Sequence, residues 1–212
     1  MLALPPAKSA MSTPSKEFSV VSSTVYSLPI KLIFLPALRE DANIFKLAKG
    51  EEVQAKILPV ASLDKHYQIA SNLLPQIDIF MDNLYTKEEM KMIDETRKIM
   101  EDDAMKITAT TVRVPVFRSH AESVNVEFED EVSVESARAA LEKFSGVTVR
   151  DNPAEMIYPQ PLETSGKDDV EVGRIRKDFS VEHGLNFWCC GDQIRKGAAL
   201  NALQIAEFLI RQ

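Results

Sequence analysis

The sequence predicts an α/β fold, more strictly α+β, in which a mixed, largely antiparallel sheet is covered by helices. Three observations carry this. Strand-like and helix-like segments alternate, yet strand-like segments also follow one another directly, which a purely parallel sheet does not give. Val124, Val126 and Phe128 alternate with Asn125, Glu127 and Glu129, the period of a half-buried strand. Thr86-Lys87-Glu88-Glu89 is a capping box, the start signal of a helix.

Taken in order, residues 1–42 read as a divergent segment, disordered or a remnant, and residues 43–212 as one domain. Met1–Ser27 is rich in Ser, Ala and Pro, with Glu17 as its one acid. An organelle-targeting peptide is Arg-rich, and no Arg precedes Arg39, so residues 1–27 support targeting only weakly. Ser19–Tyr26 is β-branched and can form a strand. Pro29 and Pro36 interrupt the apolar stretch Leu28–Leu38, which suits neither a regular helix nor a central strand.

From Asn43 the pattern is locally consistent. Ile44–Lys49 followed by Gly50 reads as a helix end. The capping box opens a helix to about Met100, with Met90, Ile93, Arg97 and Met100 along one stripe. Lys106–Phe117 is β-rich. Ser133 caps a helix through Phe144, stopped by Gly146. Val170, Val172 and Ile175 mark a strand, with Gly173 as a bulge. Leu185–Cys190 is an apolar strand, and the Ala- and Leu-rich Arg195–Arg211 is a long helix.

Composition bounds the function. The chain has 212 residues, 45% hydrophobic and 27% charged, ordinary for a globular domain with a real core. Lys plus Arg number 25 and Asp plus Glu 32, a net charge of −7, so there is no basic footprint for nucleic acid and no attraction to an anionic membrane. No apolar run is long enough to span a bilayer. The 2 cysteines, Cys189 and Cys190, are adjacent, which excludes a disulfide framework and fits a reducing, cytoplasmic compartment. The 7 glycines are scattered singly, so no glycine-rich phosphate loop is present.

Several residues carry two readings. Glu88 and Lys91 share a helix face. They form either a solvated ion pair or a grip on a small zwitterion or a phosphate. Arg113, on a β-rich stretch, can hold a carboxylate bidentately. His120 at a strand end is either a surface histidine or a general acid/base. His66 and His183 sit in polar loops, read as solvated, and three scattered histidines make a poor metal site, so no metal is expected. Cys189 and Cys190 should point to opposite faces of their strand as small apolar residues rather than nucleophiles. Asp192-Gln193 reads as a turn before the last helix. Gly197, one turn inside that helix, marks either a close backbone approach or simple tolerance.

Four ordered blocks carry a resemblance: YTKEEMKMIDETRKIM (Tyr85–Met100), KITATTVRVPVFRSHAESVNVEF (Lys106–Phe128), YPQPLETSGKDDVEVGRIRKD (Tyr158–Asp178) and GLNFWCCGDQIRKGAALNALQIAE (Gly184–Glu207). From about Asn43 to Gln212 the chain resembles the catalytic and dimerisation domain of aspartate-semialdehyde dehydrogenases. The Glu88/Lys91 and Arg113/His120 blocks follow the aspartate enzymes rather than the related reductases of N-acetyl-glutamyl phosphate. That family reduces L-aspartyl 4-phosphate to L-aspartate 4-semialdehyde with NADPH, releasing phosphate, on the route to lysine, methionine and threonine. The resemblance implies that His120 is the catalytic acid/base and that Arg113 clamps the substrate α-carboxylate. It implies that Glu88 faces the substrate ammonium, that Lys91 binds phosphate, and that Gln193, with Gly197 nearby, lies against the NADP cofactor. It also implies a homodimer paired through the sheets, or a heterodimer with a full-length enzyme.

The departures from the family are equally specific. In the family a dinucleotide-binding domain and a thiol nucleophile in an Asn-Cys-Thr or Asn-Cys-Ser context come before the matched region. Here no cysteine precedes Cys189. Ser19–Ser27 resembles the strand that follows that thiol, which puts the family's active-site glutamine near Tyr26. The expectation is a chain that keeps the substrate grip without the thiol and the cofactor domain, and so lacks turnover and firm NADP binding by itself. A non-catalytic partner of a complete enzyme and a nonfunctional remnant are the rival expectations. In the family the last helix packs on the cofactor domain, so the stripe among Ala199, Leu203, Ala206 and Ile210 is expected to lack a partner here.

Overall fold

A computed structural model describes the backbone of residues 19–27 together with residues 65, 67, 69 and 72–211. The expectations for Leu28–Leu38, for the helix end at Ile44–Lys49 and Gly50, and for His66 lie outside the described residues. The elements are β1 (Ser19–Ser27), α1 (Lys87–Met100), β2 (Lys106–Val114), β3 (His120–Glu127), α2 (Val134–Glu142), β4 (Val147–Val149), α3 (Pro161–Thr164), β5 (Val170–Asp178), β6 (Gly184–Gly191) and α4 (Leu200–Ile210). A single π-turn, Arg195–Ala199, leads into α4.

The six strands form one sheet in the order β2-β1-β3-β6-β5-β4. The β1/β3, β3/β6 and β6/β5 pairings are antiparallel, whereas β1/β2 and β4/β5 are parallel. The sheet is therefore mixed and largely antiparallel, with the β-branched segment Ser19–Ser27 inside it. Helix α1 packs on β2, α2 on β4 and β5, and α3 on β6. Core side chains come from both the strands and α1, among them Ile93, Ala109, Ala121, Val124, Val172, Ile175, Leu185 and Cys190.

The α1 capping box forms as its sequence dictates. Thr86 Oγ1 accepts the Glu89 N–H at 3.2 Å, and Glu89 Oε2 accepts the Thr86 N–H at 2.8 Å. Its other oxygen, Oε1, accepts the N–H of Thr111 on the edge strand β2 at 2.8 Å. Glu89 and Ile93 are buried, whereas Met100, on the stripe that holds Met90, Ile93 and Arg97, is 55% exposed. The helix leaves the sheet before its last turn, which ends at Glu101 in the left-handed region, φ 55°.

Two further boundaries moved. Helix α2 is capped by Ser133 but ends at Glu142, and Phe144 is exposed. Gly146 then takes φ +83°, so the glycine stop acts after a short turn. The last helix opens with the π-turn, whose carbonyl of Ile194 receives the N–H of Ala199.

The bulge expected at Gly173 is present as a register shift between Gly173 and Arg176. A Cβ at Gly173 would lie 2.2 Å from the Arg150 carbonyl oxygen, so the strands approach there as only glycine permits. The next residue, Arg174, has φ 56°. Its N–H donates to Asp151 Oδ1 at 2.7 Å, which holds the strained turn.

Candidate active site at the sheet end

Strand register builds the site. Thr111 and Glu122 both pair with Thr24 of β1, and Glu122 pairs with Cys189 of β6. Arg113 lies two residues beyond Thr111, and His120 lies two residues before Glu122 on a strand running the other way. Both therefore stand on the same face at the same end of the sheet. Tyr26 pairs with Arg113 in β1, so the position matched to the family's glutamine also falls at this end. The capping box fixes α1 to β2, and this sets Glu88 and Lys91 beside that end.

The electrostatics show which of these groups act on one another. Burial first, then the cations Arg113 and Lys91, lower the pKa of the His120 imidazole to about 4, with Asp192 opposing them. Arg113 is itself lowered by burial, with Glu88 and Asp78 opposing. Lys91 Nζ lies 3.4 Å from Glu88 Oε1. His120, Arg113, Lys91 and Glu88 thus share one electrostatic neighbourhood. The Glu88/Lys91 pair is the i,i+3 contact of the plain reading and also borders Arg113 and His120. Near neutral pH this cluster offers a neutral imidazole, which can accept a proton, beside cations and one carboxylate.

Gln193 stands in the second layer. Its Oε1 accepts the backbone N–H of Ser119 at 2.7 Å, one residue before His120. Ser119 is 1% exposed and has φ 74°. A Cβ on Gly197 would meet only Gln193 Cβ at 3.6 Å and Asp192 O at 4.0 Å, ordinary contacts, so the glycine there reflects tolerance rather than a close approach within this chain.

The sequence reading passed over two residues. Asp192 is fully buried and accepts N–H groups from Gly166 at 2.6 Å and Ile194 at 2.9 Å. The available signal was an acid between an apolar strand and a helix start, where a carboxylate bonds the backbone two and three residues on. Glu122 has its pKa raised by burial, and Cys189 Sγ lies 4.0 Å from its Oε2. An acid inside an alternating strand gives no warning of burial. His183, read as solvated, is half-buried, and its Nδ1 has no hydrogen-bond partner. It directly precedes β6, and its carbonyl accepts the Phe128 N–H at 3.0 Å.

Both cysteines lie within β6 with their thiols shifted away from the reactive thiolate form. They occupy opposite faces, Cys189 opposite Glu122 and Cys190 opposite Ala121. Burial and the neighbouring Glu122 carboxylate raise the Cys189 thiol well above its usual value. Burial first, with Glu171 adding, pushes Cys190 up to about 12. Among the described residues there is no group of three His, Cys, Asp or Glu side chains that could hold a metal ion, and no helix is long and apolar enough to cross a membrane.

Residues 41–196 match the family described as semialdehyde dehydrogenase, dimerisation domain. The chain belongs to this family. An aspartate-semialdehyde dehydrogenase of Aquifex aeolicus is 52% identical over 159 residues, covering 75% of this chain and 46% of that protein. A Vibrio cholerae aspartate semialdehyde dehydrogenase II solved in complex with ASA has a TM-score of 0.75 and 37% identity, covering 92% of this chain and 55% of that one. A Candida albicans aspartate semialdehyde dehydrogenase solved with NADP shares the fold at a TM-score of 0.59 and 21% identity. The chain spans about half the length of the relatives it matches.

The fit of a dinucleotide to this semialdehyde dehydrogenase domain can be tested on its own residues. Gln193 already accepts the Ser119 N–H, and Gly197 clears no space that an alanine would fill. Among the described residues, the two left-handed glycines are isolated, Gly146 and Gly166, and neither belongs to a loop of consecutive N–H groups that cradles pyrophosphate. These residues do not fit a dinucleotide by themselves.

Proposed function

We propose that this chain is the substrate-binding and dimerisation half of an aspartate-semialdehyde dehydrogenase. The reading rests on one observation: His120, Arg113, Lys91 and Glu88 share one electrostatic neighbourhood at a single sheet end. The reaction of the complete enzyme is then reductive dephosphorylation of L-aspartyl 4-phosphate to the 4-semialdehyde with NADPH. Within it Arg113 holds the substrate α-carboxylate as a planar fork. Glu88 faces the ammonium, Lys91 meets the phosphate, and His120 moves the proton.

Residues 43–212 form the functional unit in this reading, with Ser19–Ser27 lending a strand to its sheet. The thiol and the nicotinamide come from outside the residues of this chain, because Cys189 and Cys190 are closed off. The chain therefore binds substrate without turning it over. Two copies pair as a homodimer in the cytoplasm, where the two free thiols stay reduced. The same closed-off cysteines favour a second reading, a heterodimer in which a full-length enzyme supplies the chemistry. Co-expression with such an enzyme and sizing of the complex separates the two.

Titration calorimetry of the purified chain with L-aspartate 4-semialdehyde tests the proposal. Saturable binding that Arg113→Ala and Glu88→Gln each weaken is expected. A folded chain that gives no saturable heat would overturn it.

A further inference from the structure

The functional reading leaves Asp192 without a role, yet it is among the most constrained polar groups in the chain. Its side chain is fully buried. Oδ2 accepts the N–H of Gly166 at 2.6 Å and lies 2.7 Å from Arg118 Nε. Oδ1 accepts the N–H groups of Ile194 at 2.9 Å and Arg195 at 3.2 Å. One carboxylate therefore ties three pieces of chain: the segment that leaves α3, the turn that enters β3, and the start of the last helix.

The turn that enters β3 needs such a tie. Ser119 has φ 74°, a left-handed conformation that a non-glycine residue keeps only when its surroundings hold it. Three contacts do so. Gln193 Oε1 takes its N–H at 2.7 Å, the Ser165 hydroxyl lies 3.2 Å from its own, and Arg118 on its other side is held by Asp192. Two of the three anchors, Gln193 and Ser165, are chain neighbours of Asp192 and of its partner Gly166. Removal of the Asp192 carboxylate would loosen all three together.

We propose that Asp192 is a positioning residue for His120: its carboxylate locks Arg118, Gly166 and the Gln193 turn around Ser119, and so couples the start of the last helix to the acid/base. The inference rests on the reading of His120 as that acid/base. Its charge has the required sign as well. Arg113 from β2 and Lys91 from α1 disfavour the His120 charge and Asp192 from the turn after β6 favours it, while the Glu88 carboxylate of α1 and Asp78 act on Arg113. Burial disfavours the Asp192 carboxylate, but the Gly166, Arg118, Ile194 and Arg195 contacts outweigh burial and keep its pKa below the usual range.

The test uses the full chain and Asp192→Asn, a substitution of equal shape. The amide keeps one acceptor, so its nitrogen faces either the Gly166 N–H and Arg118 or the Ile194 and Arg195 N–H groups, and half of the lock is lost in either orientation. The histidine ring protons are followed by NMR across pH, assigned with His120→Ala, and backbone amide exchange is read at Ser119 and Gly166. The proposal expects a retained fold, exchange at both amides faster by about tenfold or more, and a His120 midpoint lower than in the parent chain. A merely structural loss would speed exchange across the whole sheet, with no selective change at these two amides and His120. Unchanged amides and an unmoved His120 midpoint in a folded variant would overturn the proposal. If Asp192→Asn does not fold, Arg118→Gln removes one arm of the lock from a partly exposed position. The same selective loosening at Ser119 is then expected, and its absence refutes the lock. These readouts need no substrate. A failed semialdehyde titration with an intact lock removes the functional reading alone, and the converse removes this inference alone.

Discussion

Glu89 Oε1 accepts the backbone N–H of Thr111 at 2.8 Å, so the residue that closes the capping box of α1 also fastens that helix to the edge strand β2. The other oxygen of the same carboxylate bonds the Thr86 N–H. Glu88 and Lys91 flank Glu89 on the helix, and Arg113 follows Thr111 by two residues. The residues proposed to hold substrate are therefore brought together by a helix cap.

Glu89→Ala should cost about 3 kcal/mol, because it leaves the buried Thr86 and Thr111 N–H groups without their acceptor. Chemical denaturation measures this. The variant should also lose the Arg113 and Glu88 contributions to semialdehyde binding even where it remains folded. A variant with parental stability would mean that the cap does not join helix to strand.

The pH dependence of folding follows from His120. Its pKa is about 4 in the fold and 6.5 in an unfolded chain. The unfolded state takes up the proton first as pH falls, so the His120 contribution is full above pH 6.5 and is lost progressively down to pH 4. The loss amounts to about 3 kcal/mol. Glu122, whose pKa burial raises, acts in the opposite direction as pH falls. The measure is therefore the difference between the parent chain and His120→Asn. Denaturation curves across pH should converge with the variant as the solution is acidified, and parallel curves would contradict the buried, neutral imidazole.

Two glycines should behave oppositely. At Gly173 a Cβ would sit 2.2 Å from the Arg150 carbonyl oxygen and 2.6 Å from Pro159 Cδ. Gly173→Ala should destabilise by about 3 kcal/mol or prevent folding, since backbone has to move. At Gly197 the nearest atom is 3.6 Å away, and the position is exposed. Gly197→Ala should be neutral or stabilise by up to about 1 kcal/mol. Thermal melts of both variants decide the matter.

Much of this was legible in the sequence, and the reasons are local. The capping box, the Ser133 cap and the Gly173 bulge are set by side chains that bond or approach the adjacent backbone, so residue spacing reveals them. Strand-end and bidentate chemistry, together with the four matching blocks, pointed to His120 and Arg113, which strand register places at the same end of the sheet. What remained hidden depends on contacts distant in sequence. Asp192 looks like an ordinary turn residue until Arg118 and Gly166 arrive from elsewhere in the chain. Met100 fits the apolar stripe of its helix, but the helix outruns the sheet. The π-turn at Arg195–Ala199 has no sequence period of its own, so the last helix read as continuous.

The proposed role of Arg113 as a carboxylate clamp makes its own prediction. Arg113→Lys keeps the charge but loses the planar fork, and should weaken semialdehyde binding roughly ten- to a hundredfold. Lys91→Ala should weaken inorganic phosphate and leave the semialdehyde largely unaffected. Calorimetric titrations with each ligand separate the two roles. Equal losses for both ligands in both variants would show a general charge effect instead of two subsites.

The most direct measurement is turnover by the purified, folded chain with L-aspartate 4-semialdehyde, phosphate and NADP. On the proposed reading the cluster at the sheet end binds substrate, while Cys189 is half-buried, Cys190 is buried and both thiols have raised pKa values, so no NADPH should form even when the semialdehyde binds. NADPH formation that Cys189→Ser and Cys190→Ser leave unchanged but His120→Ala abolishes would contradict the account, because catalysis would then proceed in this chain without a thiol.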